Sequence, residues 1–98
     1  MEIANLRQEI DQIDDEFVRL FVKRMAIAKQ VAEYKKENNL PIYAPARERE
    51  KLQDVAAKAG PEMSDYIQLL YSAIFEISKN YQSKCTSHDA THPAKPEY

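Results

Sequence analysis

The sequence predicts an all-α fold: three helices per chain, the first long enough to call for a second copy of itself. Three observations carry this. A single glycine, Gly60, occurs in 98 residues, and all five prolines lie at or beyond Pro41; strand-rich folds need more turn residues than that. Ile3, Leu6, Ile10, Ile13, Phe17 and Leu20, then Ile27, Val31 and Tyr34, follow one alternation of three- and four-residue steps. That is the period of a helix packed along another helix. Hydrophobic residues make up 44% of the chain, enough for the core of the one domain that this length implies.

The first helix is expected from about Ile3 to Asn38. It stops at ENNLP, because Pro41 cannot continue a helix and Asn38 or Asn39 suits a left-handed cap. At about 1.5 Å per residue such a helix spans roughly 54 Å, whereas a compact domain of this size has a radius of gyration near ~13 Å. Two shorter helices cannot cover that rod. Uncovered, its apolar seam is a patch that soluble monomers seldom carry. A dimer with the long helices packed together is the simplest remedy. Breaking the segment into an antiparallel pair would call for a proline or glycine, and it has neither.

The second helix is expected from about Pro45 to Ala59. Pro45 suits the first helical position, Glu48 and Glu50 complement the dipole in the early turns, and Leu52, Val55, Ala56 and Ala59 form the apolar side. Gly60 ends it. The third is expected from near Pro61 to about Lys84. Its stripe is Met63, Ile67, Leu70, Ile74, Ile77 and Tyr81, widened by Tyr66, Ala73 and Phe75. Residues 1–84 thus read as one helical domain, and residues 85–98, CTSHDATHPAKPEY, as a disordered polar tail.

Charge and cysteine usage narrow the function. The formal net charge is −2, with both signs mixed along the chain, so no nucleic-acid surface is expected. No apolar run approaches the roughly 18 residues of a membrane span. One cysteine, Cys85, excludes an intrachain disulfide and fits a reducing compartment. The N-terminal MEIANLRQEI is charged and amphipathic, unlike a secretory signal. A soluble cytoplasmic protein is the expectation. Cys85, His88 and His92 have metal-like spacing but sit in the polar tail, and no metal is expected there.

The rhythm of the first helix has one interruption, at Arg24. A guanidinium on a buried seam costs several kcal/mol unless partnered, so it needs either a carboxylate of the protein or an anionic ligand. Lys35 lies eleven residues on. Eleven steps of about 100° return to within about 20° of the same face, with about 16 Å between the two along the axis, room for a small ligand. Arg7, seventeen residues before Arg24, is about 25 Å away on another face. It reaches such a pocket only in a partner chain, if the long helices run antiparallel. Arg47 and Glu48 open the second helix, where free backbone N–H groups favour anions; they are equally ordinary first-turn charges. Ser78 and Gln82, four apart on one face, line a pocket or simply border the apolar stripe.

LRQEIDQIDDEFVRLFVKRMAIAKQVAEYK, PIYAPARERE and AIFEISKNYQ follow one another in this order and spacing. Through them the chain from about Ala4 to Lys84 resembles an AroQ-type chorismate mutase. The resemblance implies an all-α homodimer with interlaced long helices and no cofactor. The implied reaction is the unimolecular rearrangement of chorismate to prephenate, in which a C–O bond breaks as a C–C bond forms. It also implies that Arg24, Arg47 and Arg7 of the partner subunit hold the substrate's two carboxylates. Lys35 and Gln82 would face the ether oxygen, Glu48 would accept from the ring hydroxyl, and Ser78 would lie near a carboxylate. Ala44 departs from the pattern, since bacterial members often carry an aspartate there that touches the hydroxyl region. Two rivals follow. One is an isochorismate pyruvate lyase on the same scaffold, toward which Ala44 leans while Glu48 leans toward the mutase. The other is a non-catalytic helical dimer or partner-binding module, in which the cations would be paired with acids and the pocket absent.

Overall fold

A computed structural model describes residues 2–86 of the chain. Three helices account for nearly all of them: α1 (Ile3–Glu37), α2 (Pro45–Ala59) and α3 (Ser64–Thr86). Among the described residues no strand occurs and no helix is long and apolar enough to cross a membrane. The remainder of the expected tail, residues 87–98, lies outside the described residues.

α1 is unbroken over its 35 residues and sets the shape. The molecule measures 58 × 28 × 22 Å with a radius of gyration of 17.1 Å, well above the ~13 Å of a compact chain this long. The helix closes with a double hydrogen-bonded turn. Leu40 N–H donates to the Lys35 carbonyl at 2.8 Å and Asn39 N–H to that of Lys36 at 3.3 Å. Asn39 is the residue at positive φ, +57°, as this C-terminal motif requires. The chain then reverses through residues 38–44 into α2.

α3 packs on both other helices. Arg24 of α1 lies against Tyr71, and the Lys36 ammonium donates to the Thr86 carbonyl at 3.2 Å, so α1 and α3 run in the same direction. α2 runs back, its first turn meeting Lys79 of α3. The buried apolar residues are Met25, Ala28, Ala32, Val55 and Phe75. Ala28 and Ala32 are small enough to let α3 approach α1 closely, and α2 turns in Val55 from its expected apolar side.

The long seam of α1 is not the face that α3 covers. Every residue from 7 to 23 is exposed, with Ile10 at 53% and Phe17 at 58%. A seam spaced for a long helix finds no such helix within one chain. α3 likewise differs from expectation. Met63, Leu70, Ile77 and Tyr81 of its apolar stripe are exposed, and the face turned inward carries Phe75, Ser78 and Gln82.

The bounds of α2 agree with its punctuation. Pro45 is at the first position, and Ala44 caps without a side-chain hydrogen bond. α3 starts three residues later than Pro61, because Pro61–Met63 form a turn in which Met63 N–H donates to the Gly60 carbonyl at 3.2 Å. It also runs two residues past Lys84. Its last residue is held at both ends: Thr86 Oγ1 donates to the Gln82 carbonyl at 3.0 Å, and its own carbonyl accepts from Lys36.

Gly60 has φ +88° and ψ 167°, a region open essentially to glycine alone. No atom lies within 4 Å of where a Cβ would stand, so a substitution there costs backbone strain and no crowding. Gly60→Ala is expected to destabilise the fold by about 1–3 kcal/mol, lowering the melting temperature by at least about 4 °C. Thermal unfolding followed by circular dichroism checks this, and an unchanged midpoint would contradict the strain assignment.

Candidate functional site

The three helices line an open-sided cleft of about 420 Å³, within the size range of small-molecule sites. Its apolar walls come from Ala28 and Val31 of α1, Ile42 of the connection, and Tyr71 and Phe75 of α3. Five cations line it, Arg24, Lys35, Arg47, Lys51 and Lys79, against one acid, Glu48. Such an excess in an apolar-walled space favours an anion.

The two cations of α1 are the least satisfied. Arg24 is half-buried, and its guanidinium carbon sits 5.8 Å from the centroid of the Tyr71 ring, a cation–π distance. Tyr71 is held by an edge contact with Phe75, centroids 6.1 Å apart. Lys35, at the end of α1, donates from Nζ to the Ile42 carbonyl at 2.9 Å. Neither makes an ion pair among the described residues.

The N-terminus of α2 supplies Ala44, Arg47 and Glu48. Arg47 sits at the lip, its side chain 65% exposed and paired with Glu50 at 2.9 Å. An exposed pair of this kind contributes about 0–1 kcal/mol, so it leaves Arg47 free to be re-aimed. Lys51 is engaged by Asp54 at 3.2 Å. Glu48 is bound by Lys79 at 3.1 Å, and Lys79 also meets Glu76 at 3.0 Å. Its hydrogen bonds, donated to Glu76 and then Glu48, push the Lys79 ammonium above the ordinary lysine range.

α3 contributes a buried polar pair. Gln82 Nε2 donates to Ser78 Oγ at 2.9 Å. Gln82 Oε1 is buried and has no hydrogen-bond partner. An unpaired buried oxygen costs about 1–3 kcal/mol. Turning the amide over lets the Ser78 hydroxyl donate to Oε1 and presents the N–H donors to the cleft, since both orientations fit the same pair.

Six of the seven residues singled out in the sequence therefore line one cleft: Arg24, Lys35, Arg47, Glu48, Ser78 and Gln82. Arg7 does not. It lies in the exposed half of α1. Sequence reasoning passed over Tyr71, Lys51 and Lys79. A signal for Lys79 was present: Phe75, Lys79 and Gln82 stand at i, i+4 and i+7 on the inward face of α3. No cluster of three or more His, Cys, Asp or Glu able to hold a metal occurs among the described residues; His88 and His92 lie outside them.

The cleft can thus grip a small molecule bearing two negative groups, offer donors at its buried end and accept one hydrogen bond at Glu48. Comparison with known proteins points the same way. The family model for chorismate mutase type II matches residues 6–83. The chain is 46% identical over 54 residues to a bifunctional chorismate mutase/prephenate dehydratase of Aquifex aeolicus, covering 55% of this chain and 15% of that protein. It is 40% identical over 48 residues to a chorismate mutase of Methanocaldococcus jannaschii, covering 49% of this chain and 48% of that protein. A third relative, a bifunctional chorismate mutase/prephenate dehydratase of Buchnera aphidicola, is 35% identical over 86 residues, 85% of this chain and 22% of that protein. The chain thus spans less than half the length of each of these relatives.

In either orientation the buried amide makes one hydrogen bond, to Ser78, and leaves its other polar atom without a protein partner, an arrangement that favours function over stability. Gln82→Met, close in shape and apolar, is expected to leave the melting temperature unchanged or raise it. A loss of more than about 1 kcal/mol in chemical denaturation would instead mark the amide as a structural element.

Proposed function

The chain belongs to the type II chorismate mutase family, and on that premise we propose that it rearranges chorismate to prephenate. One observation carries the reading. Arg24 and Lys35 face a cleft of about 420 Å³ with no acid of the described residues paired to either. A dicarboxylate supplies the counter-charge they lack. In a non-catalytic helical module those cations would be paired internally.

The chemistry asks for two things. A flexible dianion must be folded into the compact conformer that reacts, and fixed cations gripping its two carboxylates do this. Arginine's planar fork suits that grip better than lysine's point charge; Arg24 and Arg47 take this part, with Ser78 beside a carboxylate. Negative charge also grows on the ether oxygen as the C–O bond lengthens. Lys35 and Gln82 donate to it from fixed positions in a largely dry space, where such donors are most effective. The Gln82 amide turns over for this, handing its oxygen to Ser78. Glu48 accepts from the ring hydroxyl. None of these steps requires a cofactor.

The working form in this reading is a homodimer of interlaced long helices. Its support is the uncovered seam: residues 7–23 are all exposed and carry Ile10, Ile13, Phe17, Leu20 and Phe21, a face that a second α1 buries well. With the two α1 helices antiparallel, Arg7 of the partner subunit reaches the cleft and closes its open side. The lone cysteine fits a cytoplasmic setting.

The deciding assay offers the protein chorismate and, separately, isochorismate. Prephenate from the first is expected; salicylate plus pyruvate from the second would move the assignment to a lyase. Lys35→Ala is expected to lower turnover by about 10²–10³ while circular dichroism and sizing stay unchanged, and near-normal turnover would remove Lys35 from the ether oxygen. The shared cleft has its own test. Arg7→Ala chains mixed with Arg24→Ala chains are each expected to be nearly inactive alone and to regain activity together, since a mixed dimer holds one intact cleft. No recovery would mean that each cleft is built from a single chain.

A further inference from the structure

Lys79 is the most heavily engaged cation of the cleft. Its ammonium lies 3.1 Å from Glu48 Oε2, 3.0 Å from Glu76 Oε2 and 4.4 Å from the centroid of the Tyr43 ring. Those partners come from α2, α3 and the α1–α2 connection. Among the described residues, Lys79–Glu48 is the ion pair that joins two helices; every other one lies within a single helix. Lys79 and Glu48 are equally shielded, each side chain 23% exposed, whereas Glu76 is 72% exposed. Shielding strengthens the contact with Glu48, while the contact with Glu76 is weakened by water.

Resting on the reading of Glu48 as the acceptor for the ring hydroxyl, we propose that Lys79 is a positioning residue: it pins Oε2 of Glu48 and so leaves Oε1 to face the hydroxyl end of the bound dicarboxylate. Glutamate has three rotatable side-chain bonds, and an unanchored carboxylate at the start of α2 samples solvent as readily as the cleft. The neighbouring wall residue Ala44 brings only a methyl group. The hydroxyl end therefore depends on Glu48, and the setting of Glu48 depends on Lys79. A second effect acts in the same direction. A bare carboxylate in this cleft would repel a dianion, and an ammonium 3.1 Å away offsets that repulsion. Glu76 and Tyr43 hold the ammonium in place.

The test is a mutant cycle on the intact protein, with chorismate turnover as readout and sizing plus circular dichroism on every variant. Lys79→Met is expected to raise KM about tenfold and change kcat less than about threefold, because a contact made alike in ground and transition states is uniform binding. Lys79→Arg, which keeps the charge at similar reach, is expected to recover most of the loss. In a Glu48→Ala background, Lys79→Met is expected to add less than about twofold, since its route of action is already gone. If Lys79→Met does not assemble, Lys79→Gln takes its place in the cycle. An unchanged KM in Lys79→Met overturns the proposal. So does a full additional loss in the double variant, which would mean that Lys79 grips the substrate itself. A wild-type protein without mutase activity overturns the functional reading and this role with it, a result distinct from an active enzyme indifferent to Lys79.

Discussion

Holding two cations in a half-enclosed cleft, away from the protein's own carboxylates, is the constraint around which the rest of the chain is arranged. The chain has 16 acidic residues, yet Arg24 and Lys35 meet none of them among those described. Arg24 leans on the Tyr71 ring and Lys35 on one carbonyl. Both contacts orient a side chain without cancelling its charge. The acids nearby are occupied elsewhere: Glu50 by Arg47, Asp54 by Lys51 and Lys58, Glu48 and Glu76 by Lys79. The field left over in the cleft is positive, and it is available to a ligand.

The helices serve that arrangement through small details of packing. Ala28 and Ala32 bring α3 close enough to α1 for Tyr71, Ser78 and Gln82 to face Arg24 and Lys35. The turn at the end of α1, with Asn39 at positive φ, sends the chain back so that Ile42 meets the Lys35 ammonium and Tyr43 meets Lys79. Gly60 then lets α2 give way to α3 within four residues. Each element stabilises little by itself. α3 is the shared surface on which the other two are placed.

Burial is uneven along the chain. Five apolar side chains are buried, while Ile10, Ile13, Phe17, Val18 and Val22 of α1 stand exposed. This exposed seam beside an open-sided cationic cleft is what supports the homodimer proposed above. One helix thus has two unlike halves: its C-terminal half lines the cleft, and its N-terminal half, which bears Arg7, stands exposed.

Secondary structure, and most of the charged and polar residues that line the cleft, were legible in the sequence. Periodicity, the prolines and the single glycine set three helices within a few residues of their observed ends, because these are local effects of backbone sterics and helix period. Arg24 and Lys35 were legible as one face of one helix, since eleven residues nearly complete whole turns. Which side of each helix turns inward was not legible there, because it depends on how the helices pack. α1 and α3 each carry two usable faces, and the strict apolar seams lost to the faces bearing Ala28, Ala32 and Phe75, because close approach between these two helices depends on small side chains and not on the most hydrophobic row. The same choice brought Lys79 against Glu48, a contact between residues 31 apart in sequence, and left Gln82 Oε1 buried without a partner. Neither follows from any local pattern, since both depend on how two helices meet.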